Sequence, residues 1–313
     1  MDKKFSYRNP LVYQRADPFV CYHNGMYYFT GSVPQYDCIE LRCAETLNEL
    51  AFANSKIIWR KHEKGEMGAH IWAPEIHFID GKWYIYFTAA PAEDVWEIRP
   101  HALVCSGDPM KDEWKELGRI DVGHESFSLD MTAFKAGGAL YTAWAQTKDK
   151  ETGSEIFIAR MKDPVTRESE PVGITKPEYD WEKQGFKVNE GPAVLLHGGK
   201  VIMTYSASDT GWRYCMGMLW ADENSDLLDR NSWHKSEKPV FKTCERNSQY
   251  GPGHSCFTTD GSHHVLVYHS RNYKEIEGDP LNDPNRHARA KRFTFDENGL
   301  PVFGEPLPDN DIF

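Results

Sequence analysis

The chain has 313 residues, enough to bury a large core and to hold roughly one to three domains. Its 36 Lys and Arg against 47 Asp and Glu give a formal charge of −11, which argues against a nucleic-acid surface and suits a neutral substrate. Aromatic residues reach 13%, with 10 Trp and 15 Tyr, and point to a strand-rich protein with stacking surfaces. No apolar run approaches the ~18 residues of a membrane span, and "MDKKFSYRNPLVYQRADPF" lacks the apolar core of a secretion signal. Seven cysteines, at 21, 38, 43, 105, 215, 244 and 256, show no CxxC spacing; together with the absent signal they lead us to expect reduced thiols in the cytoplasm, with a secreted mature form as the alternative.

Taken in chain order, one pattern recurs five times: "DPFVCYHNGMYYFTGS", "APEIHFIDGKWYIYFTA", "DMTAFKAGGALYTAWA", "EGPAVLLHGGKVIMTY" and "GHSCFTTDGSHHVLVYHS". Each copy is a short apolar strand, a turn containing Gly and a second, aromatic-rich strand, so each predicts a hairpin. A third strand-like piece follows each one: "IELRCAE", "ALVCSGDP", "EIFIARMKDP", "YCMGMLWAD" and "HARAKRFTFD". Five units of roughly 60 residues predict an all-β, five-bladed β-propeller of four-stranded antiparallel blades, one domain over residues 1–313. A two-sheet sandwich leaves the fixed period unexplained.

Counting back eight residues from the turn glycines 25, 81, 138, 198 and 261 gives Asp17, Ala73, Asp130, Glu190 and Gly253, spaced by 56, 57, 60 and 63 residues. The first strand of a propeller blade lines the central channel, so these positions converge on one mouth. Three of them are carboxylates. Converging carboxylates repel one another and separate in pKa, which serves glycoside hydrolysis: one acid protonates the leaving oxygen and one base activates water. Two blander uses stay open, turn punctuation at Asp-Pro and Glu-Gly-Pro and an oxygen cage for a divalent cation.

"RADPFV", "HIWAPEIHFIDGKWYIYFTA", "SLDMTAF" and "NEGPAVL", in this order, resemble glycoside hydrolase family 43 over essentially the whole chain. The resemblance implies a five-bladed propeller that inverts anomeric configuration on arabinofuranosides and xylosides. It implies Asp17 as general base, Glu190 as general acid and Asp130 as the group that orients Glu190 and tunes its pKa. "YYFTGSVPQYDCIELRCAETL", "GPGHSCF" and "YHSRNYKEIEGDPLNDPNRHARAKRF" are similar to the α-L-arabinofuranosidase branch, especially exo-acting enzymes on α-1,5-linked arabinan. A β-D-xylosidase, a bifunctional enzyme and a non-catalytic sugar-binding propeller are the alternatives. The expected partner is an oligosaccharide or polysaccharide, with no nucleic acid or membrane.

Trp72, His254 and Arg289 are candidate sugar contacts, with Arg271 as a weaker one whose alternative is a surface ion pair. Arg289 is chosen because it shares a strand face with His287. The resemblance implies His287 as a candidate ligand for a calcium or sodium ion in the channel, beside the alternative of a histidine hydrogen-bonded within its strand. The chemistry itself requires no cofactor. Phe19, Tyr28, Phe87 and Trp144 are expected between blades, and His263, His264 and His269 away from the carboxylates.

Overall fold

The computed structural model describes residues 8–149 and 151–310, which form five antiparallel sheets in chain order. The first blade holds β1 (Ala16–His23), β2 (Met26–Ser32), β3 (Cys38–Ala44) and β4 (Lys56–Arg60). The second holds β5 (Ala69–Ile79), β6 (Lys82–Ala90), β7 (Arg99–Cys105) and β8 (Lys115–Arg119). In the third, β9 (Ser128–Ala136), β10 (Ala139–Thr147) and β11 (Ser154–Asp163) are followed by two short strands, β12 (Thr166–Arg167) and β13 (Val172–Thr175), which share the outer edge of β11. The fourth comprises β14 (Asn189–His197), β15 (Lys200–Ala207), β16 (Cys215–Asp222) and β17 (His234–Lys235). The fifth comprises β18 (Tyr250–Asp260), β19 (His263–Arg271), β20 (His287–Phe295) and β21 (Pro301–Val302). This is the five-bladed propeller the repeat predicts, and β1, β5, β9, β14 and β18 form its inner ring.

The hairpins form where the sequence places them. In Asn24-Gly25, Asp80-Gly81, Gly137-Gly138 and Gly198-Gly199 both turn residues have positive φ, the geometry that matches the twist of a two-residue hairpin. Apolar clusters then join neighbouring blades. Ile39 and Leu41 pack with Ile76, Ile85 and Phe87, while Phe19 and Tyr28 lie against the same cluster. Trp144 and Phe157 join Tyr86 between the second and third blades. The ring closes through backbone: Leu11 and Val12 bond to Ala288 on β20, and the Asn9 side chain exchanges hydrogen bonds with Ala290.

Each inner strand is interrupted at its channel-mouth end by a bulge, and this positions the site. The strand register shifts around Asp17, Ala73, Asp130, Gly191 and His254. All five have left-handed φ, at 52, 45, 57, 55 and 43°. A bulge breaks the alternation of side chains, so consecutive residues reach one surface. Leu129 and Asp130 both line the same pocket.

Candidate active site

The pocket at this mouth has a volume of about 630 Å³, and Asp17, Asp130, Glu190, Trp72, His254 and Arg286 are among its lining residues. The three carboxylates that the turn count isolates therefore meet. Their phase is not shared, however. The second turn residues are Gly25, Gly81, Gly138, Gly199 and Ser262, fixed by pairs such as His197 with Lys200 and Asp260 with His263. Counting from these gives Gly191 and His254 as the equivalents of Asp17 and Asp130. Glu190 lies one residue earlier, in the position of Trp72 and Leu129. Two adjacent glycines at 198 and 199, and a serine as second turn residue in blade five, displace the count made from glycines alone.

Asp17 is buried and held ionised. Burial alone would raise its pKa, but nearby His254 and Arg286 and the Ser32 hydroxyl hold it well below the usual carboxylate range. Ser32 Oγ donates to Asp17 Oδ2 at 2.6 Å, and Arg286 Nη1 lies 3.5 Å from Oδ1. His254 Nδ1 stands 3.3 Å from Asp17 Oδ1 and 3.9 Å from Asp130 Oδ2, so it faces both carboxyls. His269 Nδ1 also lies 3.4 Å from Asp17 Oδ1, yet it accepts the Asp17 backbone N–H at 3.0 Å. A nitrogen that accepts carries no proton, so this contact is not an ion pair. Burial, with Arg286, keeps the His269 ring neutral.

Asp130 and Glu190 are pushed the other way. Burial raises Asp130 well above the ordinary carboxylate value, and repulsion from Glu190 and Asp17 adds to it. Burial raises Glu190 to about 7, opposed by a hydrogen bond from Tyr214. Tyr214 Oη donates to Glu190 Oε1 at 2.7 Å, and the Gly191 N–H donates to Asp130 Oδ2 at 3.0 Å. Gly191 is required here twice over. Its φ is +55°, and a Cβ would stand 3.1 Å from His254 Nδ1.

The other candidates divide. Trp72 and His254 line the pocket, with Trp72 beside Tyr36, His70 and Trp96. Arg289 does not: it is fully buried, paired with Asp309, and donates to Asn272 Oδ1 at 2.9 Å. Strand parity placed it with His287, but that face of β20 packs inward. Arg271 is buried rather than at the surface, held by Asp283 and by the carbonyls of Thr210 and Pro280. His287 Nδ1 accepts the Gln14 N–H at 3.0 Å, and burial lowers its pKa to about 4. Among the described residues no group of three or more His, Cys, Asp or Glu could hold a metal ion. The donors around His287 therefore do not fit a protein-built cation site.

Arg286, Tyr214 and His269 escape sequence reasoning. Arg286 adjoins His287, but nothing in its spacing marks it. Tyr214 precedes β16 without any motif. His269 was expected away from the carboxylates, yet β19 runs back to the mouth and ends beside Asp17.

A model of the glycosyl hydrolases family 43 matches residues 7–301. The chain belongs to this family. Among family 43 relatives, the extracellular exo-alpha-(1->5)-L-arabinofuranosidase of Streptomyces avermitilis is 52% identical over 309 residues, covering 97% of this chain and 64% of its own length. The protein of the same name from Streptomyces chartreusis is 52% identical over 281 residues, covering 88% and 85%. The chain thus spans less than two thirds of the first of these. The crystal structure of alpha-L-arabinofuranosidase from Lactobacillus brevis superposes with a TM-score of 0.95 at 50% identity, covering 97% of this chain and 98% of that one.

These names correct the cytoplasmic expectation, because both Streptomyces relatives are called extracellular. The thiols misled for a physical reason. Cys38, Cys105, Cys215, Cys244 and Cys256 are buried, and all seven cysteines are free. A buried thiol packs as a small apolar group in any compartment, and a core of this size needs no disulfides.

Proposed function

We propose that this family 43 chain is an exo-acting α-L-arabinofuranosidase that removes terminal arabinofuranose from α-1,5-linked arabinan with inversion. The observation that carries this reading is the divergence of three carboxyls in one pocket: Asp17 is held ionised, while Glu190 is raised to about 7. Two carboxyls with opposite protonation supply a base and an acid at the same pH.

Asp17 accepts a proton from water as the water attacks the anomeric carbon. Glu190 gives its proton to the glycosidic oxygen from the other side of the sugar. Asp130, fixed by the Gly191 amide, repels Glu190 when both are ionised, so the pair resists losing both protons. Trp72 offers a ring face to the sugar, and His254 and Arg286 hold Asp17 in place. The names of the Streptomyces and Lactobacillus relatives support the choice of sugar, and the Streptomyces names support the linkage.

The test is proton NMR during the first minutes of hydrolysis of an α-1,5-arabino-oligosaccharide. The first product should be the β-anomer of free arabinose. An α-anomer would contradict inversion, and a preference of about tenfold or more for nitrophenyl xylopyranoside over arabinofuranoside would replace the substrate.

A further inference from the structure

One acceptor is missing from an otherwise repeated ring of hydrogen bonds. On the second strand of each blade, Ser32, Thr88, Ala145, Ser206 and His269 stand opposite Ala16, Trp72, Leu129, Glu190 and Gly253. Four of these five carry a side-chain acceptor, and each takes the bulge amide of the next blade. The Ala73 N–H donates to Ser32 Oγ at 2.8 Å, and the Asp130 N–H to Thr88 Oγ1 at 3.1 Å. The His254 N–H donates to Ser206 Oγ at 2.7 Å, and the Asp17 N–H to His269 Nδ1 at 3.0 Å. Ala145 is buried and has nothing to offer. The amide it would serve is that of Gly191, which donates to Asp130 Oδ2 instead.

We propose that Ala145 is a positioning residue: by leaving the Gly191 amide without a second-strand acceptor, it makes that amide the anchor of the Asp130 carboxyl. The first blade has the opposite arrangement. There the Ser32 hydroxyl accepts the Ala73 amide and donates to Asp17 Oδ2, so it stands between the bulge carboxylate and the next blade. Two aspartates at equivalent bulges are thereby held differently. Asp17 takes its hydroxyl bond from Ser32 of its own blade. Asp130 reaches across to the residue that follows Glu190, which fixes one carboxyl against the other. The missing methyl-to-hydroxyl step in blade three is what separates the two roles.

The role of Asp130 toward Glu190 rests on the proposed acid–base function; the hydrogen-bond exchange does not. Asp130 is faced by Glu190, Asp17, Glu75 and His254, and Glu190 by Tyr214, Asp17 and Arg286. Ala145→Ser restores the acceptor. Its crystal structure should show the new hydroxyl accepting the Gly191 N–H and standing between that amide and Asp130. The Gly191 bond favours ionised Asp130, so losing it leaves the proton shared by the pair on Asp130, and the alkaline limb of kcat/KM should fall by about half a pH unit or more. Turnover of oligosaccharides should drop about tenfold, while nitrophenyl substrates, which need little acid assistance, lose less than about threefold. Ala145→Cys, with a similar shape but a weak acceptor, should keep the native bond and profile.

A Gly191 amide that stays on Asp130 Oδ2 in Ala145→Ser overturns the proposal. Should that variant not fold, Ser32→Ala makes the reciprocal test: the Ala73 amide should transfer to Asp17 Oδ2. Failure of that transfer refutes it equally. Both crystallographic readouts are independent of substrate, so they hold even if the native protein does not turn over arabinofuranosides.

Discussion

The Tyr214 hydroxyl donates to Glu190 Oε1 at 2.7 Å, while its ring lies parallel to that of His269, at 5.6 Å and 6°. His269 in turn accepts the Asp17 amide. One buried tyrosine thus packs on the histidine behind the proposed base and bonds to the proposed acid. A hydroxyl that donates to a carboxylate favours its ionised form, so Tyr214 restrains the rise that burial gives Glu190. In Tyr214→Phe the alkaline limb of kcat/KM should therefore move up, by about half to one pH unit. An unmoved or lowered limb would show that the hydrogen bond does not tune the acid.

Glu190→Ala should separate substrates by leaving group. Turnover of arabino-oligosaccharides should fall about 10²- to 10⁴-fold, while nitrophenyl arabinofuranoside loses far less and KM changes little. Equal losses on both substrates would deny Glu190 the acid role. Asp17→Asn should instead depress both alike, because every substrate needs the activated water.

Arg286→Met should introduce an acid limb. With the guanidinium gone, burial of Asp17 is less opposed, so its pKa rises. Native kcat/KM should stay flat through the ordinary carboxylate range as pH falls, down to acid unfolding. The variant should begin to lose activity about a pH unit or more earlier. Coincident acid limbs in the two proteins would contradict this account of Asp17.

Glu190 also links pH to stability. Its folded pKa is raised from 4.5 to about 7, so the protonated form stabilises the fold fully below the unfolded value, and that contribution is lost as pH rises through 7. Glu190→Gln keeps a neutral group at all pH values. It should raise Tm relative to the native protein by about 2 °C or more at pH 8, and by less at pH 5. A gain that does not grow with pH would argue that Glu190 titrates normally in the fold.

The sequence by itself determined the blade count, the five hairpins and three carboxylates at one mouth, because turn glycines and strand alternation are local and recur with the repeat. It also placed Trp72 and His254, the neighbours of those positions. It misplaced Glu190 by one residue, since a Gly-Gly turn reads the same whichever glycine is second. Only the register of β14 against β15 shows that Gly191, not Glu190, is the equivalent of Asp17. Arg286, Tyr214 and His269 were decided by the tertiary structure alone. Arg286 and His269 come from the fifth blade to serve Asp17 on the first, and Tyr214 reaches Glu190 from the loop before β16 of the same blade; no periodicity within a chain records such contacts. Arg289 failed for the same reason. Strand parity tells which side a residue faces, but only the packing of blade on blade tells whether that side holds a pocket or an ion pair.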